Sequence, residues 1–110
     1  MRVVINDSVG GFRLSEAGIL EYCKNKGWAT RIFRELSPLH NVAANGNIVY
    51  SREIERHDPA LVVAVEKLGR SADGPNSHLK IVDIPDGVEY IICDDDSGVE
   101  WIAEKHRTWD

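Results

Sequence analysis

The β-branched run Val3-Val4-Ile5 stops at Asn6-Asp7-Ser8 and Gly10-Gly11, so residues 2 to 6 are predicted to form a strand. Ser15 then stands as an N-cap with Glu16 in the first turn, and Ile19, Leu20 and Cys23 share one helical face before Gly27. That spacing predicts a helix over 16–26. Residues 28–36 mix aliphatic, aromatic and basic side chains and read as a strand closed by Ser37-Pro38. From Leu39 to Asn47 there is little to bury, which predicts a loop, and Ile48-Val49-Tyr50 then centre a brief strand within 47–53.

Asp58-Pro59 supplies an N-cap and a first-turn proline, so a helix starts there. Leu61, Val62, Val65 and Leu68 recur at helical spacing, and Gly69 ends the run. Residues 70–77 are polar around Gly74-Pro75 and predict a loop. The last third reads as β, with strands over 79–84, 88–93 and 99–104 separated by Pro85-Asp86-Gly87 and by Asp94 to Gly98. The pattern predicts one α+β domain over 1–110. Two amphipathic helices pack on a mainly antiparallel sheet that ends in a three-stranded meander. Its expected core is Val3, Ile5, Ile19, Leu20, Leu61, Val65, Leu68, Ile81, Tyr90 and Ile92, joined by Trp101.

The chain has 110 residues, 43% of them hydrophobic and 28% charged, which suits a single soluble domain. No apolar run approaches the roughly 20 residues that span a bilayer, and the first residues lack a signal-peptide pattern, so a cytoplasmic location without membrane contact is expected. The net charge of -5 has the wrong sign for neutralising nucleic-acid phosphates, and no direct nucleic-acid binding is expected. Residues 1 to 56 carry eight basic and six acidic groups, whereas residues 57 to 110 carry five basic and twelve acidic ones. An acidic half either keeps the surface soluble or attracts a basic partner, such as the groove with which another protein grips nucleic acid. Cys23 and Cys93 match no metal or redox spacing and read as buried, reduced thiols.

Candidate chemistry is sparse. Gly10-Gly11 lies between a strand and a helix, where backbone amides approach phosphates, but the glycines of a dinucleotide loop and the Lys-Ser/Thr of a P-loop are missing. A turn needing positive φ at Gly10 or Gly11 is the plainer explanation of the pair. Arg52, Arg56 and His57 precede a helix start and together suit an anion, although pairing with neighbouring acids is the plainer reading. Asp94-Asp95-Asp96 with Gly98 and Glu100 fails the spacing of a calcium loop and reads as a solvated turn available to a basic partner. No metal or cofactor is expected. Near the C-terminus, Arg107 is a further anion contact and Trp109 a surface or oligomer anchor. The four histidines are scattered, and no nucleophile–base signature is present, so binding is favoured over a small hydrolase.

Val4-Ile5-Asn6 through Gly10-Gly11-Phe12 and Leu14-Ser15, Arg56 through Asp58-Pro59-Ala60-Leu61-Val62, Glu66-Lys67-Leu68-Gly69, Leu79 through Gly87 and Glu104 through Trp109 resemble a small family of phage and prophage proteins. Ser8-Val9 departs from the Cys or Tyr common after the first Asp, and residues 28–50 follow no family pattern. The resemblance implies a genetic setting and no mechanism. In that setting a non-enzymatic accessory protein is expected to counteract host defence by binding a host protein. The alternative is an oligomer that sequesters a nucleotide signal through Gly10, Gly11, Arg52, Arg56 and Arg107.

Overall fold

The computed structural model describes residues 1–32 and 42–104. In chain order the elements are β1 (Arg2–Asn6), α1 (Glu16–Asn25), β2 (Thr30–Ile32), β3 (Val42–Ala44), β4 (Asn47–Ile48), α2 (Pro59–Leu68), β5 (Leu79–Asp83), β6 (Tyr90–Asp94) and β7 (Glu100–Glu104). Short 3-10 turns lie at Ser51–Glu53 and Gly69–Ala72. The fold is α+β, with two helices and antiparallel sheets.

Both helices start where their caps predict. Ser15 Oγ accepts from the Gly18 amide at 3.0 Å, and Asp58 Oδ1 accepts from the Ala60 amide at 2.9 Å with Pro59 in the first turn. Ile19, Tyr22 and Cys23 of α1 and Leu61, Val62, Ala64 and Val65 of α2 are buried. The helices pack on each other, α2 also against β1 and β5, and α1 against β3. Val4 joins this cluster from β1. Val3 and Ile5, also buried, point to the opposite face of the strand and lie outside it.

The chain between α1 and α2 forms more sheet than its composition suggests. β2, β3 and β4 make an antiparallel meander, with Thr30 opposite Ala44 and Ala43 opposite Ile48. Val42, Ala43 and Ala44 are buried strand residues, which corrects the loop expected over 39–47, whose first three residues lie outside the described ones. The cause is Asn45-Gly46, both at positive φ (54° and 81°), which is the turn chemistry that closes a two-residue hairpin. Of the strand expected over 28–36, Thr30–Ile32 forms β2, and residues beyond 32 fall outside the description. Within the polar stretch 70–77, Ala72 is fully buried and Asp73 bridges to Leu14.

A three-stranded meander is thus present, but in the middle of the chain. Of the last three strands, β5 pairs with β1, Val4 facing Ile81, while β6 and β7 form a separate hairpin with Ile92 facing Ile102. The buried amides of β1 require a ladder partner, and β5 supplies it. Pro85 has no N–H to extend that ladder, and Gly87 at φ 81° turns the chain away before β6.

The main core contains no residue from 84–104. Leu20, Leu68 and Ile81 pack against it half-buried. Tyr90 and Ile92 are half-buried outside it, and Trp101, expected inside, is 48% exposed. Alternation along β7 decides this: Trp101 and Glu100 must face opposite ways, and Glu100 turns inward to an arginine. No helix among the described residues is long and apolar enough to cross a membrane.

Candidate functional site

The β6–β7 hairpin is joined to the body through Asn6, Arg56 and Glu100. Asn6, with no exposed surface, ends β1 and uses both ends of its side chain. Its Nδ2 donates to the carbonyls of Ser8 (2.6 Å) and Gly98 (3.0 Å), and its Oδ1 accepts from the His78 amide (2.9 Å). Its own amide donates to Glu100 Oε1 at 2.8 Å. Arg56 donates to both Glu100 oxygens, and its guanidinium carbon stands 3.6 Å from the Phe12 ring centroid. The Arg56 carbonyl accepts from the Val4 amide, so the open edge of β1 is closed by this one residue and Glu100. A bidentate guanidinium–carboxylate pair holds orientation as well as charge, so it fixes the hairpin's angle on the body.

These contacts disperse the predicted cluster of Arg52, Arg56 and His57. Arg56 is committed to Glu100, and Glu100 in turn is no free acid for a partner. His57 Nδ1 lies 2.7 Å from the Tyr90 hydroxyl and its Nε2 3.3 Å from Glu55. Burial and the Glu55 charge raise the Tyr90 pKa, so the phenol stays protonated, and it shares with Nδ1 a hydrogen bond whose direction follows the imidazole tautomer. A nucleophilic or basic tyrosine needs the opposite shift. The chain Glu55–His57–Tyr90 also lies on the surface, with His57 and Glu55 well exposed. Its evident effect is a second link between body and hairpin.

The expected acidic turn is exposed from Asp94 to Asp96. Asp95 Oδ1 accepts from the Ser97 amide and hydroxyl and from the Val99 amide. The Ser97 hydroxyl above all, then these amides, hold the Asp95 carboxyl below its ordinary value. Asp94 and Asp96 project from the same turn. Among the described residues, no three His, Cys, Asp or Glu side chains converge as metal ligands.

Hairpin register sorts its apolar residues onto two faces. Tyr90 and Glu100 turn toward His57 and Arg56, with Ile92 and Ile102 on their side. Ile91, Cys93, Trp101 and Ala103 share the other face, where Ile91 is 47% exposed. Cys93 is therefore half-buried, unlike the fully buried Cys23, which corrects the expectation of two buried thiols. No Lys, Arg or His occurs between Ile81 and Glu104, a stretch with eight acidic residues.

Gly10, Gly11 and Arg52 do come together. They line a cleft of about 310 Å³ between residues 10–14 and 50–52, with Phe12, Arg13, Leu14, Tyr50 and Ser51. Ser51 Oγ accepts from the Leu14 amide at 3.1 Å and ties the two walls. Arg52 lies over the Tyr50 ring, 5.1 Å from its centroid. Gly10 has a structural duty as well: at φ 123°, a Cβ there would come within 2.7 Å of Asn76. Arg13, Tyr50 and Asn6 had no distinguishing sequence signal, because an isolated Arg or Tyr is common on surfaces and Asn at a strand end reads as a turn. Arg107 and Trp109 lie outside the described residues.

Comparison of the chain with family profiles, with curated proteins and with solved structures finds no match.

Proposed function

We propose that the protein acts by binding, and that its C-terminal hairpin grips a basic surface on another protein. The observation that carries this reading is the outer face of the hairpin: Trp101 at 48% and Ile91 at 47% exposure, in a stretch with eight acids and no base. Exposed aromatic and aliphatic anchors supply most of an interface's affinity, and a single-sign field around them selects an oppositely charged partner and speeds encounter. The polar ties to Asn6 and Arg56 orient the hairpin before it meets its partner, which lowers the ordering cost of binding.

In the phage setting suggested by the motifs, the partner is a host defence protein, and the surface is the groove in which it holds nucleic acid. Carboxylates at a turn compete there for the same lysines and arginines as phosphates do. Affinity capture from host lysate tests the reading when wild type is run beside Trp101→Ser and the triple variant Asp94→Asn, Asp95→Asn, Asp96→Asn. The expected partner is basic, leaves as salt rises, is displaced by duplex DNA, and is lost with either variant. No capture at low salt, or capture indifferent to both variants, overturns the reading.

A further inference from the structure

Arg2, Arg56 and Arg70 are each paired with carboxylates: Arg2 with Glu66 and Asp83, Arg56 with Glu100, Arg70 with Asp73. Arg13 and Arg52 have no carboxylate partner among the described residues, and both line the cleft between residues 10–14 and 50–52. In a chain with eighteen acids and thirteen Lys and Arg, two guanidinium groups left to one concave site demand a reason. None of the eight lining residues is acidic.

Polar main-chain and hydroxyl groups flank the two guanidiniums. Among the described residues, the backbone amides of Gly11, Phe12 and Arg13 have no protein acceptor. Ser51 Oγ accepts from Leu14, which leaves its own proton to give. The walls are braced rather than loose: the Gly74 amide donates to the Arg13 carbonyl at 2.9 Å, and a Cβ on Gly74 would meet Arg13 Cβ at 2.7 Å. The Arg13 main chain is thus gripped from behind while its side chain remains exposed. A concavity lined by two arginines and a serine hydroxyl, with no carboxylate among its lining residues, suits an anion with several oxygens. Tyr50, Phe12 and Leu14 add apolar surface, and about 310 Å³ lies at the small end of ligand sites.

We infer that this cleft binds a phosphate-bearing small molecule of mononucleotide size, its phosphate held by Arg13 and Arg52. Two forked guanidiniums match the oxygens of a phosphate monoester better than a single carboxylate, which satisfies one fork only. The organic part lies along Tyr50 and the apolar wall. No cleft residue belongs to the hairpin, so this site and the protein-binding reading stand or fall separately.

Calorimetric titration of the full chain with AMP, adenosine and inorganic phosphate tests the inference. AMP is expected to saturate at millimolar concentration or below, and adenosine to bind about tenfold more weakly, the loss of one charge-assisted contact set. Arg13→Ala and Arg52→Ala should each weaken AMP by about tenfold or more, Arg52→Lys should restore part of it, and Arg2→Ala should change nothing. All three side chains are exposed, and a circular dichroism spectrum for each of the four variants confirms that it folds. Failure of both AMP and phosphate to saturate in the millimolar range overturns the site. So does equal binding of AMP and adenosine, or wild-type affinity in both alanine variants.

Discussion

Arg56 and Glu100, 44 positions apart, meet in a two-pronged pair with Nη1–Oε1 at 2.6 Å and Nη2–Oε2 at 2.9 Å. Their side chains are 17% and 8% exposed, so water screens them little. Removing one partner leaves the other's charge largely desolvated and uncompensated, which costs about 3 kcal/mol. Arg56→Ala is therefore expected to lower the urea-unfolding free energy by that amount, and the double variant Arg56→Met, Glu100→Leu to recover much of it. A loss below about 1 kcal/mol in the single variant, typical of an exposed pair, would contradict the assignment.

Asn6 strengthens the same attachment. Asn6→Ala leaves the His78 amide without its acceptor and the Gly98 and Ser8 carbonyls without their donor, at about 1–3 kcal/mol for an unsatisfied buried group. Hydrogen exchange should locate the effect. Amides of Glu100 to Glu104 are expected to lose protection before those of α2, and uniform loss across the chain would show that Asn6 serves the whole fold instead.

Asp58 and Tyr22 give stability a pH window. Burial raises the Asp58 pKa, but hydrogen bonds from the Ala60 amide, Lys26 and Tyr22 outweigh it and leave the carboxyl below its ordinary 3.8. A depressed folded value means that its stabilisation is complete above the unfolded pKa and fades as pH falls through the folded one. Tyr22 is pushed up to about 12, by burial first and then by its bond to Asp58. Here the stabilisation is complete below the unfolded value of 10.0 and is lost as pH rises toward 12. Thermal melts of wild type should hold a plateau between these limits. Asp58→Asn should narrow its deficit as pH falls below about 4, and a deficit that stays constant in acid would refute the linkage.

The two thiols should separate by rate. Cys23 has no exposed surface, and burial raises its pKa, whereas Cys93 sits half-exposed beside Trp101 on the outer hairpin face. Maleimide is expected to label Cys93 promptly and Cys23 only on unfolding. Equal labelling rates in the folded protein would mean that the hairpin face is covered in solution.

Ile91→Ser and Trp101→Ser test the same face by stability. Neither side chain contributes to the main core, so each change should stay within about 0.5 kcal/mol, as surface substitutions do. A cost of several kcal/mol would show that the face packs inside the protein.

The amino-acid sequence alone determined the elements whose causes are local. Ser15 and Asp58-Pro59 start the helices, Gly69 ends the second, and the run Val3-Val4-Ile5 makes a strand, because caps, proline geometry and β-branching act over a few residues. The Asn45-Gly46 hairpin was equally local, but short alanine-rich strands hid it. Pairing and partnership were decided only in three dimensions. That β5 joins β1, that Arg56 is spent on Glu100 while Arg52 and Arg13 line one cleft, and that Trp101 faces outward all depend on contacts between distant segments. Charge and hydrophobicity state what a side chain needs, and the packing of the chain determines which neighbour supplies it.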